Sequence, residues 1–129
     1  MEDINQKTIL IVDDEKEVLT SLTSILKRSG YKVVATTKGS EAFELTKQSN
    51  PALIILDIMM PDLSGDEVAA QLLENPATAK IPIIFLTAIL TKDEEYRRGN
   101  FGRQFVIAKP ATSEKIVELV KNALQTNPV

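Results

Sequence analysis

Five short apolar runs, each ending in a polar side chain, constrain this chain more than any other feature. Thr8-Ile9-Leu10-Ile11-Val12 runs into Asp13-Asp14, and Leu53-Ile54-Ile55-Leu56 runs into Asp57. Neither run alternates apolar with polar residues, so each reads as a strand buried on both faces. Tyr31 to Thr36, Ile81 to Leu86 ending at Thr87, and Phe105 to Ala108 ending at Lys109 read as three further strands. Pro82 sits at the start of its run, where a missing N–H is tolerated.

Helical patterns fill the intervals. Val18, Leu19, Leu22, Ile25 and Leu26 recur at helical spacing before Gly30 stops the helix. Asp14 with Glu17 forms a candidate capping box in front of it. Ser40 opens a second helix that ends by Asn50-Pro51, and a third runs from about Asp66 to Glu74. Thr112 or Ser113 caps a last helix carrying Ile116, Val117, Leu119, Val120, Ala123 and Leu124. Between Thr91 and Gln104 apolar anchors are few and Gly99, Asn100 and Gly102 intervene, so a short or mobile helix is expected there.

Strands that alternate with helices predict a parallel sheet covered on both faces, with right-handed crossovers. Five such units predict an α/β, flavodoxin-like (βα)5 doubly wound sandwich with strand order 2-1-3-4-5. The 129 residues fit one domain, 1–129, with a polar tail at 1–7 and a C-terminal tail at 126–129. A chain of that length buries roughly two-thirds of its unfolded surface, enough for one core.

The topology brings the polar strand ends together. In that order Asp13, Asp14, Asp57, Thr87 and Lys109 all lie along one sheet edge, around the switch point between strands 1 and 3, where such folds bind ligands. Taken singly, each has a plain reading: Asp14 as a helix cap, Asp57 as a turn former, Thr87 as a strand-end hydroxyl, Lys109 as a solvated turn residue. Jointly they put three carboxylates, a hydroxyl and an ammonium over one crevice. Clustered carboxylates repel and call for cations.

Composition narrows the choice of cation. The chain has no Cys and no His, so thiolate and imidazole metal sites are excluded, as are Cys nucleophiles and His bases. Any metal is held by oxygen, which favours Mg²⁺. Mg²⁺ and Lys109 would neutralise the charge on a transferring phosphoryl group, with a carboxylate as nucleophile. The 15 basic and 18 acidic residues, without a Lys/Arg run, argue against a nucleic-acid binder. No apolar run approaches a membrane span and no signal-like segment opens the chain, so a cytoplasmic setting is expected.

The sequence resembles the receiver domains of two-component response regulators. The resemblance rests on Ile9-Leu10-Ile11-Val12-Asp13-Asp14-Glu15, on Leu53 through Asp57-Ile58-Met59-Met60-Pro61-Asp62-Leu63-Ser64-Gly65, on Ile83-Ile84-Phe85-Leu86-Thr87-Ala88 and on Ala108-Lys109-Pro110. It implies that Asp57 accepts a phosphoryl group from a histidine kinase or phosphotransfer protein. It implies that Asp13, Asp14, Asp57 and the main-chain carbonyl of Met59 hold Mg²⁺. It implies that Thr87 binds a phosphoryl oxygen, that Lys109 pairs with the phosphoryl group and Asp57, and that the Lys109-Pro110 bond is cis. Such a protein signals by protein–protein interaction, as a monomer or weak dimer, through a downstream partner the sequence does not name. Its chemistry is self-directed, acceptance and slow hydrolysis, rather than that of an enzyme on an external substrate.

One departure concerns readout. Receivers often carry Tyr or Phe three residues before the lysine, whereas Val106 stands there and the aromatic is Phe105. A one-residue offset on a strand moves a side chain to the other face. Signalling through a nonstandard face, or through ordering of residues 91–103, is therefore expected. The main alternative is a pseudo-receiver that binds a partner without phosphorylation. An aspartyl-phosphate phosphohydrolase fits poorly, because the leaving-group acid expected two residues after the nucleophile is replaced by Met59. A flavin-binding relative lacks a Gly/Ser/Thr-rich loop after strand 1. The 129 residues carry no output domain, so either a stand-alone receiver or a domain excised from a larger regulator is expected, since Asn127-Pro128-Val129 also reads as the start of a linker.

Overall fold

The computed structural model describes residues 6–87, 104–108 and 112–125. The elements follow the alternation read from the sequence. They are β1 (Thr8–Val12), α1 (Lys16–Arg28), β2 (Lys32–Thr36), a 3-10 turn (Gly39–Glu41), α2 (Ala42–Ser49) and β3 (Leu53–Asp57). Then come α3 (Gly65–Glu74), β4 (Ile83–Thr87), β5 (Gln104–Ala108) and the C-terminal helix α4 (Ser113–Gln125). The expected short helix after Thr91 lies outside the described residues, as do both chain tails apart from residues 6 and 7.

All strand pairings are parallel, in the order β2-β1-β3-β4-β5. The unalternating apolar runs find their explanation here. Side chains of successive strand residues point to opposite faces, and both faces are covered. Ile9, Ile11, Leu53, Ile55, Ile84 and Leu86 pack against α1 and α4 through Leu22, Leu26, Ile116 and Val120. Leu10, Val12, Ile54, Leu56, Ile83 and Phe85 pack on the other side with Ala42 of α2 and Val68, Ala69 and Leu72 of α3. Burying each such side chain contributes about 1.5–3 kcal/mol.

The helix starts differ from the local reading in two places. Asp14 does not cap α1: the N-cap is Glu15, without a side-chain cap bond. Instead Asp13 Oδ1 accepts the Glu15 N–H at 2.9 Å, which turns the chain out of β1. Ser40 does not open a regular helix; the chain first makes the Gly39–Glu41 3-10 turn. Elsewhere the capping chemistry is local. Ser64 caps α3 by accepting the Glu67 N–H at 3.3 Å, and Thr112 caps α4 by accepting the Lys115 N–H at 3.1 Å.

Candidate functional site at the carboxyl edge of the sheet

The site forms where β1 and β3 end side by side. Their register pairs Val12 with Leu56, so the next residues, Asp13 and Asp57, emerge together. One carboxylate oxygen from each of Asp13, Asp14 and Asp57 lies within 4.8 Å of the others. Asp13 and Asp57 are only 1% and 3% exposed, whereas Asp14 faces solvent. Three anions held that closely repel one another strongly in a partly dry setting.

Backbone donors fix the two buried carboxylates. Asp13 Oδ1 takes the Glu15 N–H, and Asp57 Oδ1 takes the Met59 N–H at 3.2 Å. The Asp13 N–H in turn donates to the Thr36 carbonyl at 3.2 Å, tying the end of β1 to the end of β2. These bonds set the planes of the two buried acids. The donor set is hard and made of oxygen, open to solvent on the Asp14 side. It suits a small divalent cation that keeps some of its waters, which is the coordination habit of Mg²⁺.

The loop after Asp57 is closed at its base, where the Gly65 N–H donates to the Ile58 carbonyl at 2.9 Å. Gly65 is required by space: a Cβ there would stand 2.7 Å from the Ile58 Cα and closer still to the Asp57 carbonyl oxygen. Within the loop Met60 is buried among the α2–α3 core residues, while the Met59 side chain is 56% exposed.

Of the residues singled out in the sequence, Asp13, Asp14 and Asp57 are brought together. Thr87 ends β4, next to β3, and pairs with Ala108 of β5, the residue just before Lys109. The Thr87 side chain, Lys109 and the Lys109-Pro110 bond lie outside the described residues. Val106 pairs with Phe85, and Phe105 with Ile84, so the one-residue offset of the aromatic is kept in the strand register.

One residue near the site was not singled out. Asp62 accepts the Gly39 N–H on Oδ1 at 3.3 Å and the Ser40 N–H on Oδ2 at 3.1 Å. Its carboxyl is held below the ordinary carboxylate range, foremost by the Ser40 N–H. In sequence it is one more acid after Pro61, and its partners lie more than twenty positions away, beyond the reach of any local pattern.

The comparisons with known proteins agree with this geometry. The sequence profile of the response regulator receiver domain matches residues 9–121. The chain is similar to the polar-differentiation response regulator DivK of Brucella ovis and of Brucella anthropi. It is 32% identical to each over 118 residues, which is 92% of this chain and 96% of the relative. Among solved structures it resembles a response regulator from Desulfuromonas acetoxidans, with a TM-score of 0.81 and 30% identity over 92% of this chain and 97% of that one. It also resembles the N-terminal domain of a response regulator receiver protein from Methanoculleus marisnigri, with a TM-score of 0.70 and 33% identity over 90% of this chain and 94% of the other.

Proposed function

Because the chain belongs to the response regulator receiver family of two-component signalling, we propose that it accepts a phosphoryl group on Asp57 from a histidine kinase or a histidine phosphotransfer protein, with Mg²⁺, and signals through a downstream protein. The observation that carries the reading is the convergence of Asp13, Asp14 and Asp57 within 4.8 Å at the ends of two adjacent strands.

Asp13, Asp14, Asp57 and the Met59 carbonyl would hold Mg²⁺. When bound, the ion offsets the charge spread over the oxygens of the transferring phosphoryl group. The chain's own residues do the rest. A carboxylate oxygen of Asp57 attacks phosphorus while the bond from phosphorus to the donor's imidazole nitrogen breaks, leaving an acyl phosphate on Asp57 and a neutral imidazole on the donor once it takes up a proton. The Met59 N–H on Oδ1 holds the carboxylate plane, so attack requires little reorganisation. Lys109, which follows β5 directly, would pair with the phosphoryl group, and Thr87 would bind one of its oxygens. The transfer modifies the protein itself, so the chain acts as a switch rather than as an enzyme on a separate substrate. Among the described residues no helix is long and apolar enough to cross a membrane.

The test is intact-mass measurement after incubation with acetyl phosphate and Mg²⁺. One phosphoryl adduct is expected on the native chain, and none on Asp57→Asn or in EDTA. A native chain that takes no adduct from either acetyl phosphate or a phosphorylated phosphotransfer protein would favour a receiver that binds partners without phosphorylation.

A further inference from the structure

A main-chain carbonyl differs from a side-chain ligand in one respect: it cannot be re-aimed by rotating a side chain. If Met59 contributes its carbonyl, the loop that carries it must itself be held in place. Its base is closed by the Gly65 N–H on Ile58, and Met60 anchors it in the core. Met59, Pro61 and Asp62, by contrast, are exposed.

The contact across that exposed part is made by Asp62. Its two oxygens each take one of two successive backbone N–H groups, those of Gly39 and Ser40, at the start of the 3-10 turn. Such first-turn donors have no partner within their own helix. The two segments also touch directly. A Cβ on Gly39 would stand 2.6 Å from the Leu63 carbonyl oxygen and 3.1 Å from the Met60 Cε, so only glycine admits this approach. At its other end the same connection is fixed to the acidic end of β1. The Thr36 carbonyl accepts the Asp13 N–H, and the Thr36 hydroxyl accepts the Lys38 N–H at 3.1 Å. The hydroxyl donates to Glu41, which stiffens the turn. Hydrogen bonds at both ends of the 36–40 backbone thus join Asp13, just after β1, to Asp62 in the loop after β3.

We infer that Asp62 is a positioning residue: by gripping the backbone of Gly39 and Ser40 it fixes the Met59 loop relative to Asp13 and Asp14, and so sets the spacing between the two halves of the cation site. The inference rests on the proposed Mg²⁺ role of those halves. Asparagine does not replace the carboxylate, because its amide nitrogen would point a donor at one of the two N–H groups.

The test is Mg²⁺ titration of the whole protein, followed by the amide signals of Asp13, Glu15 and Met59. Asp62→Asn should raise the Mg²⁺ Kd about tenfold, the lower end for groups that hold ligands in place. The ratio should persist at about 0.5 M KCl, where through-space charge effects at the surface are screened. Asp66→Asn, which removes the same charge from the exposed first turn of α3, should leave the Kd within about twofold of the native value under the same screening. Gly39→Ala should reproduce the loss, and the double variant should lose less than the sum, because both act through one contact. An unchanged Kd in Asp62→Asn, a loss that disappears in high salt, or an equal loss in Asp66→Asn would overturn the positioning role. A native chain that binds no Mg²⁺ would contradict the proposed function itself, a result separate from these.

Discussion

Asp13 and Asp57 sit almost fully buried against a third carboxylate, and at the scale of single residues this arrangement works against stability. Like charges crowded in a partly dry cluster repel, so neutralising one of them relieves the others. Asp57→Asn keeps an oxygen for the Met59 N–H and removes one negative charge. In EDTA it should therefore be more stable than the native chain by about 1–2 kcal/mol, read by urea unfolding; a loss of stability would mean that repulsion among the carboxylates does not dominate at Asp57. Met59 makes the second residue-scale prediction. Its side chain is exposed and apolar, so it cannot orient an attacking water. A slowly hydrolysed acyl phosphate is expected, and Met59→Asn should shorten its half-life by about tenfold or more, since an amide can hold a water in position for attack. Phosphate release measured over time checks this, and native half-lives of seconds would refute it. At this scale the three clustered acids were legible, because each ends an apolar run. Asp62 was not, because its partners are remote in sequence.

Among the elements, strands and helices were legible wherever hydrophobic periodicity decides them. The double-sided burial of β1 and β3 is written in Ile9 to Val12 and Leu53 to Leu56, and α1 and α4 in their apolar stripes. The misread starts have physical causes. Asp14 reads as a cap but lies among the carboxylates, so α1 begins without a side-chain cap. The start of α2 is drawn into a 3-10 turn whose first N–H groups bond Asp62 instead of a local side chain. Two substitutions at the start of α3 separate capping from crowding. Ser64→Ala removes the bond to the Glu67 N–H and should cost about 1 kcal/mol. Gly65→Ala drives a Cβ against the Asp57 and Ile58 backbone, which cannot rotate away, and should cost about 2–3 kcal/mol. Chemical denaturation of both variants checks the order; equal costs would contradict the close approach described here.

For the whole molecule, the doubly wound topology matters because it collects side chains from distant parts of the sequence at one edge without any of them being adjacent in the chain. Strand order could be read from the alternation of elements, and with it the meeting of Asp13, Asp14 and Asp57. How a phosphorylated state would be read out is less legible, since Val106 stands where an aromatic is usual in receivers and the register leaves Phe105 one position away. Exchange of amide hydrogens with and without a phosphate analogue should change in residues 91–103 or on a face away from the usual one; no change there would remove that reading. Mg²⁺, bound by the folded chain alone, should stabilise it by about 3 kcal/mol at a hundredfold excess over its Kd, and Asp13→Asn should lose most of this gain in thermal unfolding. The central claim is that Asp57 itself becomes an acyl phosphate. Borohydride reduces that group to the alcohol, converting the aspartate to homoserine, and peptide mass spectrometry locates the change. After treatment with acetyl phosphate and Mg²⁺, homoserine is predicted at position 57 alone and only when both reagents are present; homoserine at another acid, or at none while an adduct forms, would contradict the assignment.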